Sequence, residues 1–147
     1  MPPRAAAAAR TDPFPGFNFI VEIDGIAAAG FSEVSGLSLQ VPVIEYREGN
    51  SLATRKLPGL QKVGNIILKR GVTADLSLFQ WIRSIADGTM SRRSVSVILL
   101  DEARQPVTRW NLSRAWPTKW EGPALNARGN EVAIETLELT CEGIQSE

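Results

Sequence analysis

Paired carboxylates, one thiol and three tryptophans set among basic residues are the groups in this chain with chemical potential. Asp101 and Glu102 are adjacent, and Glu131, Glu135, Glu138 and Glu142 follow in close series near the end. Such carboxylates can act as acid and base or hold a hard cation. Their usual companions are missing, because the chain has no histidine and Cys141 is its single cysteine. Nucleophile–histidine systems, histidine- or multi-cysteine metal sites and an internal disulfide are thereby excluded. Neither G-x-G-x-x-G nor G-x-x-x-x-G-K-[ST] occurs, so the glycines of Leu57-Pro58-Gly59 and Arg70-Gly71 read as turn residues rather than a phosphate cradle. Trp110, Trp116 and Trp120 alternate with Arg109, Arg114 and Lys119, a pattern suited to base stacking beside phosphates. At strand spacing, however, Trp110, Leu112 and Trp116 share a parity and are expected to face a core. The expectation is a structural protein with no catalytic, cofactor-binding or metal residue.

The 147 residues, 44% of them hydrophobic, suffice for one domain with a core. Residues 1–12 are expected to form a flexible tail, ended by Asp12-Pro13-Phe14-Pro15-Gly16, and 13–147 a single domain. The alternation of Phe17, Phe19, Val21 and Ile23 predicts a strand, and Asp24-Gly25 a hairpin turn into a second one through Val34. Leu37, Leu39, Val41 and Val43 extend the alternation. Further strands are expected over 65–70, 94–100, 107–116 and 131–142, the apolar phase of the last shifting either at a bulge near Glu135 or because both faces are partly covered. One helix is expected, capped by Thr73 or Asp75 and stopped by Gly88, packing through Leu78, Phe79, Ile82 and Ile85. The fold class is therefore mainly β: a six- or seven-stranded β-sandwich or barrel with one flanking α-helix.

Charge is balanced at 16 basic and 16 acidic residues, which argues against a generic nucleic-acid or acidic-membrane binder. Locally it is not: residues 45–70 carry +4 and residues 131–147 carry −5. No signal peptide or apolar run of about 18 residues is evident, so a soluble protein made in the cytoplasm is expected. The segment 46–63 lacks clean periodicity and reads as a long charged loop, which in a compact domain calls for a partner. Its Tyr46, Arg47, Glu48, Arg55, Lys56 and Leu57 are the expected contact residues, with Glu131, Glu135, Glu138 and Glu142 as the acidic complement on another copy.

The ordered series FNFIVEIDG (17–25), GFSEVSGL (30–37), EYREG (45–49), LPG (57–59), NIILKRG (65–71), WPTK (116–119), NEVAIETLEL (130–139) and Glu142-Gly143 spans nearly the whole chain. In that order and spacing it resembles the tail tube proteins of contractile-tailed phages and of phage-like extracellular contractile injection systems. The type VI secretion tube protein is similar in architecture and more remote in sequence. Cys141 departs from the pattern, since many relatives carry histidine there.

What the resemblance implies is a subunit that forms hexameric rings, stacking into the rigid inner tube that sheath contraction drives out. The implied partners are further copies of the chain, the contractile sheath protein, the baseplate or hub, tube-terminating proteins, and DNA or effector cargo in the lumen. The implied location is the bacterial cytoplasm during assembly, then a phage tail or a released particle. A ring-forming cargo carrier or secreted tube protein of the type VI kind is the alternative.

Overall fold

The computed structural model describes residues 13–16, 18–24, 30–50 and 52–147. The expected tail, residues 1–12, lies outside them, as do Phe17 and Gly25. Alternation becomes strand where a face can be buried. β1 (Phe19–Ile23) buries Val21 and Ile23, but it pairs with β8 (Arg93–Leu100), placing Phe19 opposite Leu99 and Ile23 opposite Val95. β2 (Phe31–Ser35) pairs instead with β7 (Ile66–Gly71). β1 and β2 are thus not partners of each other, and the turn expected at Asp24-Gly25, with residues 26–29, lies outside the described residues.

Between β2 and β7 the chain makes one long hairpin. β3 (Leu39–Gln40) pairs with β6 (Lys62–Val63) in the register already set by Val34 opposite Leu68. The register slips by one residue before β4 (Val43–Tyr46) meets β5 (Arg55–Pro58), and the amide of Gly59 donates to the Pro42 carbonyl at 2.7 Å across the slip. Of the expected 46–63 loop, positions 46, 55–58 and 62–63 are therefore ladder, and Leu39, Val41 and Val43, which extend the apolar alternation, are exposed. Two glycines are required at its root. Gly36 sits at φ +90°, where any Cβ would collide with the Asn65 carbonyl oxygen, and a Cβ on Gly64 would collide with the Ser38 hydroxyl.

α1 (Ser77–Ala86) is the one helix among the described residues and packs on β9 (Pro106–Glu121). Seven strands form a single antiparallel sheet in the order β1-β8-β9-β10-β7-β2, where β10 is Ile134–Thr140 and β11 (Gly143–Ser146) also lies on β9. The first half of β9 pairs with β8 and β11, the second half with β10. Its middle is bulged, with Arg114 at φ +51°, and a bulge bends and twists a strand. Both halves of the sheet consequently face one core, with Val21, Val95 and Leu112 from one side, Ile66, Leu68, Leu137 and Leu139 from the other, and Leu78 and Trp81 from the helix.

β9 does not end near Trp116 as expected. It runs on through the fully buried Pro117, whose missing amide is tolerated because the ladder with β10 is irregular there, leaving Thr118 as the extra residue. The bulges also flip parity, so that Leu112 and then Ala115 and Pro117 are buried and Trp116 leaves the core face. β10 itself is regular against β7, with Glu135, Leu137 and Leu139 pointing inward. Val132 lies outside the strand and Ile134 is half-buried on its outer face, so both faces are partly covered and the phase shifts without an irregularity near Glu135.

Candidate assembly surfaces

The hairpin from β3 to β6, hereafter the arm, stands clear of the core: every residue of β4 and β5 is exposed. Directly opposed residues share a face, so Ile44 with Leu57 and Tyr46 with Arg55 form one surface, and Val43 with Pro58 and Glu45 with Lys56 the other. The first surface is apolar over three of its four side chains. Leu52 beyond β4 and Leu60 beyond β5 are 96% and 88% exposed. A two-stranded ribbon is marginally stable alone in water, and here it buries neither face. Of the expected contact residues, Tyr46, Arg47, Glu48, Arg55, Lys56 and Leu57 all lie on this arm, but apolar side chains outnumber charges on the face that carries Leu57.

The acidic series is dispersed by the strand period. Glu135 is 5% exposed and bonds Arg70, itself 2% exposed, with Nε donating to Oε1 at 2.7 Å. It is corrected from a surface complement to an internal anchor, since its parity is that of Leu137 and Leu139. Arg70 also donates from Nη1 to Asp75 Oδ2 at 3.3 Å and from Nη2 to the Asp75 carbonyl at 3.0 Å, tying the entry of α1 to β7. Asp75 accepts the Ser77 amide at 3.0 Å from one position before the helix cap; the cap itself is Leu76, with no side-chain cap bond, so neither Thr73 nor Asp75 takes the expected cap position. The Ser77 hydroxyl beside it, and then the Ser77 amide bonded to it, hold the Asp75 carboxyl below the usual carboxylate range, and Arg70 adds to this. Glu138 accepts from Asn65 Nδ2 at 3.3 Å, and exposed Glu142 pairs with Arg114 at 2.8 Å. Glu131 is exposed on the segment leading into β10.

α1 packs differently from its expected stripe. Leu78 and Trp81 are buried and Ile85 packs against the core, whereas Phe79 is 40% exposed and meets the Trp120 ring edge-on at a centroid distance of 4.9 Å. Trp81 is absent from the expected stripe, although its i+3 spacing from Leu78 marks the same face. Its Nε1 donates to the Ser91 carbonyl at 2.7 Å and Arg93 stacks over its ring.

The remaining chemical candidates are absorbed by the fold. Asp101 Oδ1 accepts the Gln105 amide within the turn joining β8 to β9, and Arg104 reaches across to Asn18. Burial pushes the Cys141 thiol up, which suppresses the thiolate and with it nucleophilicity. Arg109, Arg114 and Lys119 pair with Glu22, Glu142 and Glu121, so the basic stripe presents no surplus charge to a phosphate backbone. No group of three or more metal-binding side chains occurs among the described residues.

Residues 15–145 match the family model of the T4-like virus tail tube protein gp19. No curated protein sequence matches the chain. Among solved structures, a chain of the PVC sheath–tube complex, an extracellular contractile injection system in its extended state, superposes with a TM-score of 0.85 at 29% identity, over 100% of this chain and 99% of that one. A chain of the tube-terminating cap of the anti-feeding prophage gives 0.84 at 30% identity, over 95% and 93%. Hcp1 from Flavobacterium johnsoniae gives 0.59 at 14% identity, over 88% and 94%, a likeness of fold alone. With an exposed arm, a bent β sheet and its reactive groups engaged in structure, the chain belongs to the T4-like virus tail tube protein gp19 family and is a structural tube protein rather than an enzyme.

Proposed function

We propose that the chain closes into six-membered rings through its sheet edges and stacks ring on ring through its arm, forming the inner tube of a contractile injection particle. The observation that carries this reading is the arm: a ladder with both faces in water, one of them lined by Ile44, Tyr46 and Leu57. Fully burying a side chain of this size contributes about 1.5–3 kcal/mol, so a second copy covering that face supplies the stability the ribbon lacks. Among the described residues β1 and β2 end the sheet with unpaired edges, a liability in a monomer that closure around a ring removes.

The solved relatives come from particles in which tube chains meet a sheath, a terminating cap and a baseplate resolved with six-fold symmetry, and these are the partner classes proposed here. Assembly in the bacterial cytoplasm, followed by residence in the particle, belongs to the same reading. No helix among the described residues is long and apolar enough to cross a membrane. A cargo-carrying ring shares this architecture but has no need of stacking, and the arm favours the tube.

Replacing Ile44 and Leu57 together by Asp tests it. The expected product is a folded subunit that sediments as rings or protomers and never as tubes. Tubes of normal length from the double variant would overturn the reading.

A further inference from the structure

The core is open along one side. The bent sheet brings its two end strands, β1 and β2, to opposite lips of a cleft of about 270 Å³ whose walls include Gly16, Phe19, Val34, Leu37, Leu99 and Trp110. A second cleft, of about 320 Å³, shares Leu37 and Trp110 and runs on to Ile144 and Gln145 in β11. The shared residues join the two into one trough. Phe19, Val34, Leu37, Trp110 and Ile144 pack against the buried core from its floor and yet remain only partly buried. Apolar surface left open along a continuous line marks an interaction site.

We propose that the trough is filled by the chain's own segment 1–12, with Ala5 to Ala9 laid over Leu37 and Trp110. The inference is independent of the arm and of stacking. Gly16 stands on the wall of the trough, three residues before β1 begins, so the chain enters the fold beside it. Twelve residues precede Pro13, five of them the uninterrupted alanines Ala5 to Ala9. These stand seven to eleven positions ahead of Gly16, a reach of up to about 23–36 Å when extended, against a radius of gyration of about 15 Å for a domain of this size. At the far end, β11 is already held in its ladder with β9, and the segment before Pro13 is the one with residues left to place. Alanine suits the site. Its short apolar methyl reaches a floor of large side chains while the backbone stays at the mouth, where water satisfies its polar groups. Arg4 and Arg10 bound the run and limit what is buried to those five residues.

Two measurements on the full chain test this. In a Cys141→Ala background, Ala7→Cys is combined in turn with Ser32→Cys and Gln145→Cys, at the two ends of the trough, and with Ala86→Cys at the end of α1, outside it. Mild oxidation should close a disulfide within one chain, seen as a product of monomer mass, roughly tenfold faster at one or both trough positions than at position 86, because docking raises the local thiol concentration. Linkage between chains instead would assign the trough to a second copy, and trough rates no higher than at position 86 would leave it unfilled; either result overturns the proposal. The second measurement is amide exchange. Ala5→Asp with Ala7→Asp and Ala9→Asp, all outside the sheet and helix, should speed exchange over 32–37, 97–99 and 144–146 roughly tenfold and leave α1 unchanged. Exchange over those residues equal to that of the parent chain would overturn the proposal as well.

Discussion

Arg70 and Glu135 form the buried charge pair on which β7, β10 and the start of α1 converge. Breaking such a pair from one side leaves an uncompensated charge in the core, at a cost of about 3–5 kcal/mol. Glu135→Ala should therefore lower unfolding stability by that amount, whereas Glu142→Ala, which removes a surface ion pair, should cost less than about 1 kcal/mol in the same denaturant titration. The tryptophan within α1 and the one packed against it separate likewise. Trp81→Phe loses the bond to Ser91 and should cost about 1–3 kcal/mol, while Trp120→Phe should be milder, because Trp120 Nε1 is buried without a partner among the described residues. The contrast between Glu135 and its neighbours is partly legible in the sequence: Glu135, Leu137 and Leu139 share a parity, and period two puts them on one face. Arg70 is not legible as its partner, since that pairing depends on β7 and β10 lying side by side.

At the scale of elements, the strands at 66–71 and 134–140 are legible because each buries one face in alternation, and 93–100 because it is a continuous β-branched and apolar run buried on both faces. The arm reads as a loop for a matching reason. With both faces in water its part beyond Val43 has no apolar–polar alternation to show, and Pro42, Pro58 and Gly59 imitate a break. Its geometry still leaves a mark at Gly36. Gly36→Ala forces a Cβ toward the Asn65 carbonyl at a left-handed φ and should destabilise by more than about 1 kcal/mol while loosening the arm, measurable as faster amide exchange over 39–63. The entry to α1 predicts a pH effect. Asp75 has a folded value below 3.8, so the stability its bonds supply is complete above 3.8 and is lost as pH falls through that lowered value. Thermal melts of the parent chain and Asp75→Asn should differ at neutral pH and converge in acid; a gap that persists unchanged at pH 2 would contradict this.

For the whole molecule, a net charge of zero conceals a basic hairpin and an acidic end, and the fold uses part of that asymmetry internally, through Glu135, before any remains for a neighbour. What remains is directional, with an exposed arm at one end of β2 and β7 and, among the described residues, unpaired outer edges on β1 and β2. That is the surface of a part rather than of a free-standing protein. The most direct test of its role as a tube subunit is electron microscopy of the purified chain, with and without particle baseplates as initiators, beside the chain lacking residues 39–63. The account requires tubes of uniform width from the intact chain and nothing beyond single rings without the arm. An intact chain that stays monomeric under every condition, or equal tubes from both chains, would contradict it.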